Sequence, residues 1–402
     1  MRLAVVSVHM SPLTPAGDLI DRGPARRVAE LCQALAALGH EVRFFARADA
    51  RHPAGTRPLL PGVTVVHIPV GPASSKSEAG LLSYTRRFGE RLAEHWRRSG
   101  WTPDLVHAHF WLSGLAARTA AHLAQRPVAL TYHELASVRR RLLGDAADPA
   151  ARVDLERRLG NAVNLVIAQS RAERDELARL GVPRQRTILI PTGVDPGRFA
   201  PVRALAPPHP GRGRIVAVGD GLTDRTGVVD LLTALRHLPE AEATVVGGAS
   251  AGRVGRDRRV RELRALAREW GVADRVRFVG RIAAAELPAW YHRADVVVCA
   301  GWYAPSGVTA LEAMAAGLPV VATAIGGQRD VVIDGVTGAL VPPGAPGALA
   351  RAVRRVLADP IRQLEYAAAG LDRVRQCYAW HQVTRQLDVR FRELCAAGAA
   401  CA

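Results

Sequence analysis

Apolar, β-branched runs of four to seven residues alternate with helical patterns along nearly the whole chain, and this alternation limits the fold more than any other feature. Arg2–Val8 is a continuous run of the kind that a parallel sheet buries on both faces. Arg26–Leu38 then sets Val28, Leu31, Leu35 and Leu38 on one helical face, with Gly39 as the stop. Runs at 41–46, 63–68, 104–107, 128–131, 165–168 and 187–190 read as further strands, with helical stretches such as 112–124 and 171–180 between them. The rhythm is that of βαβ units in a doubly wound parallel sheet. It breaks over Pro191–Arg214, a stretch that holds seven prolines when Pro183 just upstream is counted and that reads as an interdomain linker. A second series follows, with strands at 215–218, 243–246, 275–279, 296–299 and 320–323 and helices at 228–238, 256–270, 285–292, 309–316 and 347–357. The last stretch, 379–394, is helical with no strand after it. The expected architecture is α/β: two doubly wound, Rossmann-like domains facing each other across a cleft. They divide as 1–195 and 196–375, with 376–402 a terminal helical segment crossing back to the first domain. Ligands of such sheets bind outside the carboxyl ends of the strands.

Composition narrows the function. Of 402 residues 49% are apolar and 23% charged, which excludes a disordered chain. No uncharged apolar run reaches the roughly 18 residues of a membrane-spanning helix. The longest candidate, 313–328, is cut by Gly317, Pro319, Gly326 and Gly327. The opening apolar run is too short for a signal peptide and reads as a first strand, so a cytoplasmic location is expected. The net charge of +17 is carried by Arg; Lys76, in a Ser-rich stretch, is the one lysine, which argues against a catalytic Lys. Such a charge attracts anions: a nucleotide diphosphate, an anionic membrane surface or nucleic acid. The arginines are scattered and form no aromatic-rich patch, so nucleic acid has little besides charge in its favour. Cysteines at 32, 299, 377, 395 and 401 contain no C-x-x-C pair and make neither a disulfide framework nor a zinc site; Cys32 and Cys299 read as small core residues.

The stretch from Ala294 to Gly327 carries the most chemistry. A buried strand runs into a Gly/Pro/Ser loop, and a helix then opens near Val308–Thr309 with Glu312 expected in its first turn. Free N–H groups at a helix start form an anion site, and Glu312 could accept from two adjacent hydroxyls such as those of a ribose. A glutamate there equally complements the helix dipole, and spacing does not separate the two readings. His107-x-His109 puts two imidazoles on one side of a strand end, as a metal pair or as pocket lining, with no third ligand at a suitable spacing. No D-x-D triplet occurs, and G-G-A-S-A-G at 247–252 misses the dinucleotide fingerprint. Arg139–Arg141 read as a solvated helix face, with acceptor-phosphate binding as the sharper alternative.

In order along the chain, A-L-A-A-L-G-H-E-V-R-F-F-A-R (34–47), P-D-L-V-H-A-H-F-W-L-S-G-L-A-A (103–117), T-Y-H-E-L (131–135), I-P-T-G-V-D (190–195), G-V-A-D-R-V-R-F-V-G-R (271–281) and D-G-V-T-G-A-L-V-P-P (334–343) resemble the family-4 retaining glycosyltransferases of the GT-B fold. The nearest subgroup contains the actinobacterial D-inositol 3-phosphate glycosyltransferases and the sucrose-synthase-like enzymes. The resemblance implies a metal-independent transferase with no cofactor, which moves a sugar from a nucleotide-sugar substrate to a small-molecule or glycan acceptor. It places Glu312 on the donor ribose, Gly280 and Arg281 at the base, and Gly307, Val308 and Thr309 at the sugar and diphosphate. It sets His133 near the reacting carbon and Gly23 in the first loop, where backbone meets diphosphate or acceptor. His109, Arg139 and Arg140 fall on the acceptor side. Four positions depart from the pattern. The first Glu of E-x7-E falls at Ala304, and the Arg and Lys of the diphosphate clamp fall at Gly221 and Thr226. The paired glycine of the first loop is Pro24. Arg225, or Arg22, Arg26 and Arg27, stand as substitute cations. Removing one preorganised donor typically costs about 10²–10³ in turnover. The alternative to an active transferase is therefore a catalytically impaired one that binds a sugar nucleotide or partners an active paralogue.

Overall fold

The computed structural model describes residues 1–13, 23–74, 78–144, 148, 150–200, 211–219 and 221–399. Arg22, Lys76 and residues 201–210 of the Pro-rich stretch lie outside them. The chain forms two compact units, Met1–Gly193 with the segment from Trp380 onward, and Val194–Ala379.

The first unit is built on eight strands: β1 (Arg2–Val6), β2 (Glu41–Ala48), β3 (Gly55–Leu60), β4 (Val63–Pro69), β5 (Leu105–His109), β6 (Val128–Thr131), β7 (Leu165–Ala168) and β8 (Thr187–Leu189). Their order is β3-β4-β2-β1-β5-β6-β7-β8. All neighbours are parallel except β3, which pairs antiparallel with β4. An all-parallel sheet is thus corrected at one edge. The segment G-T-R-P-L-L is exposed over its first four residues and holds Pro58, as an edge strand tolerates and a central one does not. Helix Pro24–Ala37 and the terminal helix Trp380–Ala399 cover one face, packing Val28, Leu31 and Leu35 with Val383, Leu387 and Phe391. On the other face Thr85–Arg98 lies on Trp111–Ala124, with Phe88, Leu92 and Trp96 in the core.

The second unit has six parallel strands: β9 (Gly213–Gly219), β10 (Ala241–Ser250), β11 (Val276–Arg281), β12 (Val296–Cys299), β13 (Val320–Thr323) and β14 (Ala339–Val341), in the order β11-β10-β9-β12-β13-β14. The expected helix at 285–292 is instead a 3₁₀ turn, Ala284–Glu286, followed by the short helix Leu287–Tyr291. Pro288 has no N–H for a helix interior, so it sits in the first turn of a new one.

Each sheet reverses its winding beside its first strand, between β1 and β5 in one unit and between β9 and β12 in the other. The crevice outside the carboxyl ends at such a point is where doubly wound sheets take ligands.

Candidate functional site

In the first unit, strand alternation puts His107 and His109 on the same side of β5, with ring centroids 4.1 Å apart. His107 Nε2 lies 2.9 Å from Thr131 Oγ1 at the end of β6. His109 Nδ1 lies 2.8 Å from His133 Nε2, and His133 Nδ1 lies 3.2 Å from Gln169 Oε1 just past β7. Three strand ends therefore converge through their side chains. Burial holds His107 far below an ordinary imidazole, at about 3, and holds His109 well below it. His133 is also lowered to about 3, by burial first and by the Arg27 guanidinium second. All three are neutral at physiological pH. Among the described residues no group of three or more candidate ligands surrounds a metal position.

The backbone is strained at the same place. Phe110 (φ 71°, ψ 155°) occupies a region that is essentially reserved for glycine, and His133 sits at φ 65°. Their rings meet with centroids 4.5 Å apart. Such conformations cost about 1–3 kcal/mol each and persist where the surroundings over-determine them, often at functional sites. Arg27, His107, His109, His133 and Gln169 line a cavity of about 30 Å³. Gly23 (φ 90°) precedes helix Pro24–Ala37, and its carbonyl accepts from the Arg27 N–H at 3.3 Å. Pro24 takes the first helical position, where its missing N–H is no loss.

Arg139 and Arg140, on helix Ala136–Leu143, are not free cations. Arg139 pairs with Glu134 and Asp148, both at 2.7 Å, and Arg140 donates to the Asp148 carbonyl at 2.6 Å. The simple solvated-face reading of this stretch is corrected by that pairing.

In the second unit, Gly307 caps helix Val308–Ala315 in the left-handed conformation, φ 65°. A Cβ there would lie 2.8 Å from the Gly327 carbonyl carbon, so the loop after β12 and the turn after β13 touch through backbone alone. The N–H groups of Val308 and Thr309 open this helix beyond the carboxyl end of β12. Glu312 is its fifth residue, not part of the first turn as expected, so the dipole accounts for less of its placement. Its Oε2 accepts from the Tyr291 hydroxyl at 3.2 Å. Burial, with the Glu312 charge second, pushes the nearby Cys299 thiol up to about 12.

Gly221 and Thr226 follow β9. Thr226 ends a 3₁₀ turn, Asp224–Thr226, and Gly227 then caps helix Val228–Leu235. A Cβ on Gly227 would fall 1.9 Å from the Ala300 carbonyl oxygen, which holds this turn against the end of β12. The Arg225 carbonyl accepts from the Trp302 N–H at 2.7 Å, and the Ala304 carbonyl accepts from the Gly327 N–H at 2.8 Å. A cavity of about 540 Å³ is lined by Gly221, Thr223, Asp224, Arg259 and Arg281, among others. One pocket lined by both Glu312 and the 280–281 turn was the expectation. Arg281 lines this cavity and Glu312 does not, being turned onto Tyr291. Gly280 (φ 79°) stands just before Arg281 at the end of β11. Sequence spacing gave no sign of Arg259, from helix Arg258–Glu269, which bonds the Leu222 carbonyl at 2.9 Å and pairs with Asp224 and Glu262.

Residues 22–198 match Glycosyltransferase Family 4, and residues 207–372 match Glycosyl transferases group 1. A D-inositol 3-phosphate glycosyltransferase of Xylanimonas cellulosilytica is 38% identical over 405 residues, spanning 96% of this chain and 96% of the relative. One from Streptomyces avermitilis is 33% identical, spanning 94% and 84%. Among solved structures, sucrose-phosphate synthase from Thermosynechococcus elongatus superposes with a TM-score of 0.85 at 30% identity, over 99% of this chain and 100% of that one. Anabaena HepE in complex with UDP and glucose shares the fold at 20% identity, with a TM-score of 0.72 over 98% and 100% of the two chains.

Proposed function

The chain belongs to the family-4, group-1 glycosyltransferases, and from that membership we propose that it moves a sugar from a nucleotide-diphosphate donor to an acceptor hydroxyl with retention at the anomeric carbon. The observation that carries the reading is the helix Val308–Ala315 at the reversal point of the second sheet. It opens on left-handed Gly307, and Glu312 stands one turn inside it. The N–H groups of Val308 and Thr309 would meet the negative donor, with Glu312 on the ribose hydroxyls. His133, neutral and held in a strained turn, would stand by the reacting carbon. The acceptor hydroxyl then attacks on the face that the diphosphate leaves, so the protein works by positioning and by stabilising the leaving charge. The missing D-x-D triplet favours a metal-free reading. The relatives' name makes an inositol phosphate the first acceptor to try. A cytoplasmic location belongs to the same reading; no described helix is long and apolar enough to cross a membrane.

A second reading, slow or lost transfer with donor binding retained, has its own observation. Gly221, Thr226 and Ala304 bring no charge, and of the two arginines that line the cavity, Arg259 is already paired with Asp224 and Glu262, while Arg281 stands at the end of β11, away from the three replaced positions in sequence. The test compares wild type with the triple variant Gly221→Arg, Thr226→Lys, Ala304→Glu on a panel of nucleotide sugars with an inositol phosphate. A Cβ on Gly221 meets nothing closer than Thr223 at 4.0 Å, so the arginine has room. Wild-type turnover of about 1–10³ per second supports the first reading and sinks the second. Transfer seen only in the triple variant does the reverse. Failure to bind any nucleoside diphosphate in calorimetry overturns both.

A further inference from the structure

The imidazole chain beneath His133 has a definite direction. Gln169 Oε1 can only accept, so the proton of the contact at 3.2 Å sits on His133 Nδ1. The His133 ring is neutral, which leaves its Nε2 a bare acceptor. Its partner at 2.8 Å, His109 Nδ1, is therefore the donor. His109 is neutral as well, so its own Nε2 carries a lone pair. A second argument gives the same direction. Were the chain reversed, His109 Nε2 would hold a proton in a side chain 1% exposed, with no hydrogen-bond partner among the described residues. Buried orphan N–H groups are rarer than under-satisfied acceptors.

We propose that His109 is a positioning residue: its Nδ1–H fixes His133 as the neutral Nδ1–H tautomer, and together with Gln169 it occupies both ring nitrogens of His133. His133 then acts by place and shape, not by taking a proton. Phe110 supports the assignment from the other side. It follows His109 directly, keeps a glycine-like backbone anchored by its N–H to the Thr131 carbonyl at 2.9 Å, and lays its ring against His133. The inference rests on the reading that His133 stands by the reacting carbon. The chemical step closes without the imidazole. The acceptor oxygen bonds to the anomeric carbon, and the bond from that carbon to the diphosphate oxygen breaks with its electron pair on that oxygen. The acceptor's proton ends on the same diphosphate.

The test is a two-bond ¹⁵N–¹H correlation spectrum of the full chain labelled with ¹⁵N-histidine at pH 7, with His109→Phe and His133→Phe used for assignment. Both His109 and His133 should show a protonated Nδ1 and a bare Nε2; a protonated Nε2 on His133, or an imidazolium, overturns the proposal. Activity gives the second arm. His109→Asn keeps an N–H where Nδ1 was, and His109→Phe removes it. The Phe variant should lose roughly 10–100-fold in kcat with donor KM unchanged, and the Asn variant should recover most of it, since small misplacements near reacting atoms cost factors of this size. Equal losses in both overturn the positioning role. A wild-type protein with no transferase activity would sink the functional reading, while the spectrum still decides the tautomers.

Discussion

Glu312 shows how a single residue divides between structure and chemistry. It is half-buried, holds the Tyr291 hydroxyl at 3.2 Å and adds to the burial that raises the Cys299 thiol, all beyond the reach of a simple dipole effect in the first turn. If it accepts ribose hydroxyls, Glu312→Ala should weaken nucleoside diphosphate binding by about 1–3 kcal/mol, the usual worth of a charged acceptor. Calorimetry reads this directly, with Glu312→Gln as a variant that keeps the packing; unchanged affinity in both would remove Glu312 from the site. The motif residues were legible because local turn chemistry places them: Gly307 before its helix, His107 and His109 two apart on one strand. Gln169 and Arg259 were not. Each reaches its partners from a different element, Gln169 from 36 residues beyond His133 and Arg259 from 35 beyond Asp224. Nothing in local periodicity marks such a contact. The commitment of Arg139 and Arg140 to Glu134 and Asp148 was hidden for the same reason.

At the scale of elements, the buried parallel strands were plain because each is an unbroken apolar run, and Val128–Thr131, Leu165–Ala168, Val296–Cys299 and Val320–Thr323 lie where the pattern put them. The two strands that went unread lie at sheet edges. β3 is exposed over its first four residues, and β14 has three residues, so neither offers the two-sided burial that writes a strand into sequence. Helix packing was less legible still. Gly89 lets Thr85–Arg98 close on Trp111–Ala124: a Cβ there would lie 2.4 Å from the Ala116 carbonyl oxygen and 2.6 Å from Thr119 Cβ. One of the two contacts is backbone and cannot swing aside. Gly89→Ala should therefore push the helices apart and cost about 1–3 kcal/mol, outweighing the better helix propensity of alanine. Urea denaturation measures it, and an unchanged or raised midpoint would show that the interface yields.

Over the whole molecule, the buried imidazoles are distributed unevenly, and acid should find the difference. Burial lowers His9 and His67 to about 4 and His107 and His133 to about 3, and drives His109 well down; all belong to the first unit. The second unit has two described histidines, His237 and His292, and no such cluster. A folded pKa below the unfolded value near 6.5 gives stability that is complete above about pH 6.5. That stability is lost as pH falls towards the folded value, at about 1.4 kcal/mol per pH unit for each group. Glu173 opposes this: burial raises it to about 7, so its protonation on going from pH 7 to the ordinary carboxyl range favours the folded state. Glu156 opposes it in the same way: burial raises it to about 7, even with the Arg152 Nε–H on its Oε1 at 2.8 Å. Five histidines outweigh two buried acids. Between pH 7 and 5 the first unit should lose several kcal/mol while the second changes little. Hydrogen exchange, with rates corrected for pH and read peptide by peptide, should then show protection falling first in Met1–Gly193 and in the terminal helix Trp380–Ala399, which packs into the same core. Equal loss of protection in both units across that window would mean that the imidazole cluster does not govern the acid limit of the fold.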